Sequence, residues 1–168
     1  MPPKSKLNIL WLTPYPISKS QHPAPWIKSL AEAIVEHNHS LTIITVSSKL
    51  KVVQKTIEGN GYTLLVVPYS GGLKHLLSFF YTNVNALKKY LQNNITHYDV
   101  IHVHGTELQY ASALINSKIK IPFITSIQGI ITLYRRVLKL VPTLKPIYWT
   151  IASFYEKFEI KNSNNFFL

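Results

Sequence analysis

The sequence contains no cysteine in 168 residues. Disulfides and thiolate metal sites are excluded, and the cytosol is the default compartment. Acidic residues are scarce, at 7 against 18 Lys and Arg. A pair of catalytic carboxylates is hard to assemble from one Asp and six Glu, most of which read as helix-surface residues. Glycine is also scarce, and neither a GxGxxG nor a Walker pattern occurs. A dinucleotide-binding or P-loop enzyme is therefore disfavoured. No GxSxG elbow is present for a serine nucleophile. No apolar run approaches the ~18 residues of a membrane span. Residues 7–12 are apolar but soon broken by Thr13-Pro14, too short a run for a secretory signal.

What is present describes a folded globular chain. Apolar residues make up 46% and charged residues 15%, and the length suits one domain with a sizeable core. The net charge of +11 calls for an anionic partner: nucleic acid, an anionic membrane or a phosphorylated substrate. An acid-free basic span, residues 130–149, holds Arg135, Arg136, Lys139 and Lys145 among Leu, Val, Ile, Tyr and Trp. Nucleic-acid faces are denser in Lys and Arg with polar neighbours, and no reader motif occurs, so nucleic acid is not an expected partner. A basic and apolar mixture suits a membrane interface, with these four residues facing it. A solvated surface with snorkelling lysines fits the span equally well.

The hydrophobic pattern alternates strands and helices. Residues 7–13 (LNILWLT) read as a strand buried on both faces, hence parallel and central. A Pro-rich loop (14–25) follows, then a helix with Ile27, Leu30, Ala31 and Ile34 on its apolar face. Residues 40–47 (SLTIITVS) form a second strand, and 52–58 and 62–68 flank Gly59-Asn60-Gly61 as a hairpin. Leu76, Phe80, Val84, Leu87 and Leu91 trace one helical stripe. Further strands fall at 99–103 and 122–127, with a helix over 107–116 and another through Ile151, Phe154, Tyr155 and Phe158. This order predicts an α/β fold: Rossmann-like, doubly wound, mainly parallel, with helices on both faces. Phe166-Phe167-Leu168 reads as a strand beginning, so residues 1–168 are expected to be the N-terminal part of a longer protein.

In such a sheet, ligands bind beyond the carboxyl ends of the strands. Three ends can be located: residues 13–26, 104–107 and 128–129. Val100, His102 and His104 point to one face, Ile101 and Val103 to the other. His102 is mid-strand and reads as a hydrogen-bonded core histidine. His104 is terminal, and reads equally as a turn histidine or a ligand contact. Gly105 permits positive φ and close approach of a ligand. Thr106 is placed to cap a helix whose free N–H groups favour an anion. Glu107 has a structural reading in the first helical turn. Trp26 reads as core, while His22 and Gln128-Gly129 are open between plain loop residues and ligand contacts. The pairs His37/His39 and His102/His104 lack a convincing third ligand, so no metal is expected.

Three segments together carry a resemblance. KLNILWLTPYP, YDVIHVHGTE and IPFITSIQG, in that order and spacing, are similar to the N-terminal domain of family 4 retaining glycosyltransferases of the GT-B fold. The resemblance covers most of the chain from about Lys6. It implies an N-terminal acceptor-binding domain, half of a GT-B fold, whose missing C-terminal partner binds a nucleotide-sugar donor. The acceptor would be a glycan or a lipid-linked glycan in surface polysaccharide or glycolipid synthesis. No cofactor or obligatory metal is implied, and the place of action is the cytoplasm or the inner face of the membrane. On this reading His104 is the cleft histidine, with Gly105, Thr106, Gln128, Gly129, His22 and Tyr15 as substrate contacts. Gln128 stands where the family pattern has His, and residues 18–25 replace its glycine-rich loop. The 168-residue chain alone is expected to be inactive. The competing reading is a non-catalytic ligand-binding module or a degenerate fragment.

Overall fold

The computed structural model describes residues 6–17, 25–95, 97–127, 129–138, 145–163 and 166–167. Seven strands run β1 (Asn8–Leu12), β2 (Ser40–Ser47), β3 (Gln54–Glu58), β4 (Tyr62–Pro68), β5 (Val100–His104), β6 (Phe123–Ser126) and β7 (Phe166–Phe167). Among the described residues six helices intervene: α1 (Pro25–Glu36), α2 (Gly72–Leu77), α3 (Tyr81–Asn94), α4 (Tyr110–Ser117), α5 (Ile131–Leu138) and α6 (Lys145–Asn162).

All strands join one sheet in the order β3-β4-β2-β1-β5-β6-β7. Every pairing is parallel except the β3–β4 hairpin at the edge. The continuous apolar run of β1 is explained by its place between β2 and β5, where both faces are covered. Leu10, Leu12, Ile44, Ile101 and Val103 face a core closed by Val84, Leu87, Tyr110 and Leu114 of α3 and α4. Ile9, Trp11, Ile43, Leu64 and Val66 face the opposite core, closed by Ile27 and Ala31 of α1. The expected doubly wound fold, with helices on both faces, is the observed one. Burying the large apolar side chains of β1 and β5 contributes roughly 1.5–3 kcal/mol for each of them.

Four local expectations change. The stripe from Leu76 to Leu91 is two helices, because Phe79 (φ 51°) and Phe80 (φ 62°) adopt the left-handed region and end α2. The helix expected from residue 107 starts at Tyr110, because Gly105 (φ 81°) and Gln109 (φ 57°) make residues 105–109 an irregular loop. Gln109 is held there by accepting from Asn83 at 3.0 Å and donating to the Glu107 carbonyl at 2.7 Å. On α1 the buried pair is Ile27 and Ala31, one turn apart, which leaves Trp26 and Leu30 exposed at its flanks. On α6 Ile151 is buried but Phe154 faces out.

Candidate site at the carboxyl ends of the strands

The parallel order brings the ends of β1, β2, β4, β5 and β6 to one edge, and the ladder continues slightly past them. Thr13 N–H donates to Ile44 O at 3.1 Å, Tyr69 N–H to Ser47 O at 3.1 Å and Gly105 N–H to Ser126 O at 2.8 Å. These bonds fix where each loop leaves the sheet. Beyond β1, β2 and β4 they leave a pocket of about 460 Å³. Thr45, Ser47, Ser48, Lys49 and Tyr69 supply its polar lining, and Pro14, Pro16 and Leu108 part of its apolar lining. Beneath it the Tyr110 hydroxyl donates to Thr13 O at 3.2 Å and lies 3.2 Å from Thr45 Oγ1. Val46 N–H donates to the same hydroxyl at 3.4 Å. One phenol on α4 thus ties the ends of β1 and β2 together.

His104 closes β5 on the α1 side of the sheet. Its ring lies 4.7 Å from Trp11, 5.6 Å from Trp26 and 3.8 Å from His102. It is only 3% exposed, and its Nε2 is buried without a hydrogen-bond partner. Burial, then the neighbouring His102, lowers its pKa to about 3. At neutral pH it is an uncharged imidazole, without the charge needed to neutralise an anion. His102 behaves as a half-buried core residue, 2.6 Å from Ser126 Oγ, with its pKa lowered by burial.

The loop after β5 is not the anion site expected from its glycine and threonine. Gly105 has its N–H committed to Ser126, and a Cβ there would overlap the Glu107 carboxylate. The glycine is favoured here by its positive φ, which L side chains rarely adopt. Thr106 is buried and caps no helix; its hydroxyl points to Glu156 Oε1 at 3.5 Å. In the first turn of α4, Ser112 N–H donates to Glu159 Oε1 at 2.8 Å, and Ser112 Oγ donates to it at 2.7 Å. At the start of α5, Glu156 accepts from Ile131 N–H at 2.6 Å and from Thr132 N–H at 2.9 Å. Both helix starts that border the site therefore already hold a carboxyl group, supplied by α6. Burial raises the pKa of Glu159 to about 8, despite two stabilising bonds from Ser112. Glu107 is also raised, first by burial and further by Glu156, against the pull of backbone N–H groups of Glu107 and Thr106.

The remaining expected residues divide. Tyr15 borders the pocket, but its hydroxyl is buried 2.8 Å from that of Tyr62, so the phenol serves the core. Gly129 stands after β6 beneath the Tyr134 ring. His22, Gln128 and Lys139 lie outside the described residues. Arg135 and Arg136 fall within α5 and Lys145 opens α6, but their side chains are outside the description too. Sequence reasoning missed Ser47, Ser48, Lys49 and Tyr69, although the strand-end rule applied to the two strands they follow. It also missed Glu156 and Glu159, taken for surface acids although both are buried. Their i, i+3 spacing was the available signal, since it sets them on one helix face. Trp26 was assigned to the core and instead stands exposed beside His104.

A parallel sheet with helices on both faces and a pocket at its carboxyl edge is a Rossmann-like architecture, and the parts of solved structures it matches are halves of GT-B glycosyltransferases. Sucrose-phosphate synthase from Thermosynechococcus elongatus superposes with a TM-score of 0.63 at 12% identity, over 95% of this chain and 41% of that one. The catalytic domain of starch synthase IV from Arabidopsis thaliana, bound to ADP and acarbose, gives 0.52 at 11% identity, over 75% and 34%. This chain spans less than half the length of either. No curated protein sequence matches it. The model of Glycosyltransferase Family 4 matches residues 25–164, and the chain belongs to that family.

Proposed function

We propose that the chain is the acceptor-binding half of a glycosyltransferase. The complete enzyme would move a sugar from a nucleotide-sugar donor to a glycan or lipid-linked acceptor without an obligatory metal. The observation that carries this reading is the 460 Å³ pocket at the carboxyl edge, lined by hydroxyls of Thr45, Ser47, Ser48 and Tyr69 and by Lys49. Hydroxyl donors and acceptors around a partly apolar floor suit a sugar ring, whose hydroxyls need partners and whose C–H faces do not. His104 would contribute from behind the pocket, since its Nε2 is buried and it does not line the cavity. Gly129, which follows β6, would shape the rim of the same edge, and the family resemblance would add Gln128 and His22 as contacts. The donor would be bound by a second half facing this edge, as the lengths of the matched structures suggest. A surface polysaccharide or glycolipid acceptor would place the chain at the cytoplasmic side of a membrane.

Amide chemical shifts of the chain test the assignment. Titration with neutral and lipid-linked oligosaccharides should move Thr45, Ser47, Lys49 and Tyr69, while nucleotide-sugars alone leave them in place. Shifts that follow the nucleotide-sugar instead would make this the donor half. The 168-residue chain should turn over no nucleotide-sugar; detectable transfer by it would refute that part.

A further inference from the structure

A second cavity lies at the other end of the strands, beneath the close of α3. Its volume is about 220 Å³. Thr42 is the third residue of β2 and Thr63 the second of β4, and the two stand side by side in the parallel ladder. Both share a sheet face with Ile44 and Leu65, which belong to the core under α3 and α4. On these two strands the face continues as Val46 and Val67, so the paired hydroxyls interrupt an apolar run. Elsewhere in β2 an inward hydroxyl is used by the fold. Thr45 Oγ1 accepts from Tyr15 N–H at 3.2 Å and lies 3.2 Å from the Tyr110 hydroxyl. Thr42 and Thr63 have no such partner among the described residues and line the cavity instead.

The other walls come from α3, the link to β5 and the edge strand. The last turns of α3 supply Tyr90, Leu91 and Asn94, and Tyr98 follows before β5. Leu91 and Ile44 are buried and form the floor. Tyr90 and Tyr98 are half-buried and pack on the same core. Burial, then Tyr98, raises the pKa of Tyr90, so this phenol stays a neutral donor at physiological pH. One N–H of Asn94 donates to Tyr90 O at 2.8 Å, which holds the amide at the rim. Lys55 of β3 pairs with Leu65, so its side chain shares that face and reaches the cavity.

Charge selects the ligand. Lys55 is the one ionic side chain among the described lining residues. Glu58, on the same strand, pairs with Tyr62 and so lies on the opposite face. Asp99, next to Tyr98, accepts from Asn8 N–H at 2.9 Å. The carboxyl end of α3 opposes an anion here, but by about half a charge against the full charge of Lys55. The chain holds 18 basic residues against 7 acidic ones, and this wider field adds to the lysine. A cation or an apolar guest would leave the ammonium unmatched. Size narrows the choice, since pockets for drug-sized ligands begin near ~300 Å³. Two threonine hydroxyls, two phenols and an amide ask for further oxygen functions beside the charged group.

We propose that this cavity binds a compact hydroxylated anion: a polyol or hydroxy acid whose single phosphate or carboxylate group meets Lys55 and whose hydroxyls meet Thr42, Thr63 and Tyr98. The site shares no lining residue with the carboxyl-edge pocket and does not rest on the glycosyl-transfer reading.

Glycerol phosphate, glycerate and glycerol are the probes, with amide chemical shifts as the readout. At least one of the two anions should move Thr42, Lys55, Thr63 and Tyr98 saturably and leave Thr45, Ser47 and Tyr69 in place. The tighter of the two identifies the anionic group. Glycerol should not saturate. Lys55→Gln should weaken binding of the tighter anion about ten-fold, and Thr63→Val, which keeps the side-chain shape, about five-fold. Lys89→Gln, at an exposed position of α3 outside the cavity, should leave binding unchanged. Unaltered thermal melting of Lys55→Gln, an exposed-site variant, shows that its loss of binding is local. Saturation by neither anion, or glycerol binding as tight as either, overturns the proposal. So does an equal loss in Lys89→Gln, which would reduce the effect to general attraction toward a basic surface.

Discussion

The Glu156 carboxylate of α6 stands 2.6 Å from the Ile131 backbone nitrogen and caps α5 from a different helix. Thr132 adds its N–H at 2.9 Å and its hydroxyl at 2.6 Å. Glu156→Ala should destabilise the fold by about 1–3 kcal/mol, since it leaves buried donors unpaired. Denaturant unfolding measures the loss. Amide exchange should accelerate first at Ile131 and Thr132; unchanged exchange there would show that the cap is dispensable.

Glu159 predicts a loss of stability toward alkaline pH. Its folded pKa of about 8 lies above the ordinary carboxylate value of 4.5, so the folded state binds the extra proton between those values. Its contribution is complete at low pH, declines as pH rises through that window, and levels off above it. Glu159→Gln imitates the protonated acid and keeps an acceptor for Ser112. The variant should match the parent near the acid end and exceed it near pH 9 by a few kcal/mol, from about 1.4 kcal/mol per pKa unit. Parallel unfolding curves at every pH would sink this account.

His104 acts in the opposite direction. Its folded pKa of about 3 lies below the ordinary 6.5, so the unfolded state takes up the proton first. Stability from this site is present above pH 6.5 and is lost as pH falls toward 3. His104→Phe keeps an aromatic ring between Trp11 and Trp26 and should flatten the acid limb of a melting-temperature profile. The same variant should weaken acceptor binding about ten-fold if Nε2 meets a sugar hydroxyl. A variant that binds oligosaccharide as tightly as the parent would remove His104 from the site.

Tyr110→Phe removes the hydroxyl that joins Thr13, Thr45 and Val46. With no cavity made, the cost should be about 1–2 kcal/mol, the value of buried bonds lost with their partners left behind. Shift changes should concentrate at Thr13, Thr45 and Val46. A neutral effect would mean that these groups find other partners.

The sheet was legible because burial writes itself into sequence. β1 is apolar throughout because both its faces are covered, and β5 alternates His102 and His104 against Ile101 and Val103 because its two faces meet different cores. The hairpin around Gly59-Asn60-Gly61 followed from turn chemistry. Less was legible where backbone conformation is set by distant groups. Nothing in the periodicity of residues 76–91 reveals that Phe79 and Phe80 turn left-handed, since apolar spacing counts residues and not φ. Thr106 looked like a cap because caps are normally local. Here the capping carboxylates arrive from α6, and a surface reading of Glu156 and Glu159 follows whenever their partners are sought within a few residues. Trp26 was misplaced for a related reason: one apolar side chain at a helix start does not say which flank it occupies.

The long reach of α6 also couples two separate parts of the chain. Thr106 and Glu156 are 50 residues apart and Ser112 and Glu159 47 apart, so closing these bonds costs loop entropy that local contacts do not. The loop after β5 and the start of α5 are both held by α6, so local opening of α6 would release both together. The backbone after β5 and β6 is thus only as rigid as the docking of that one helix.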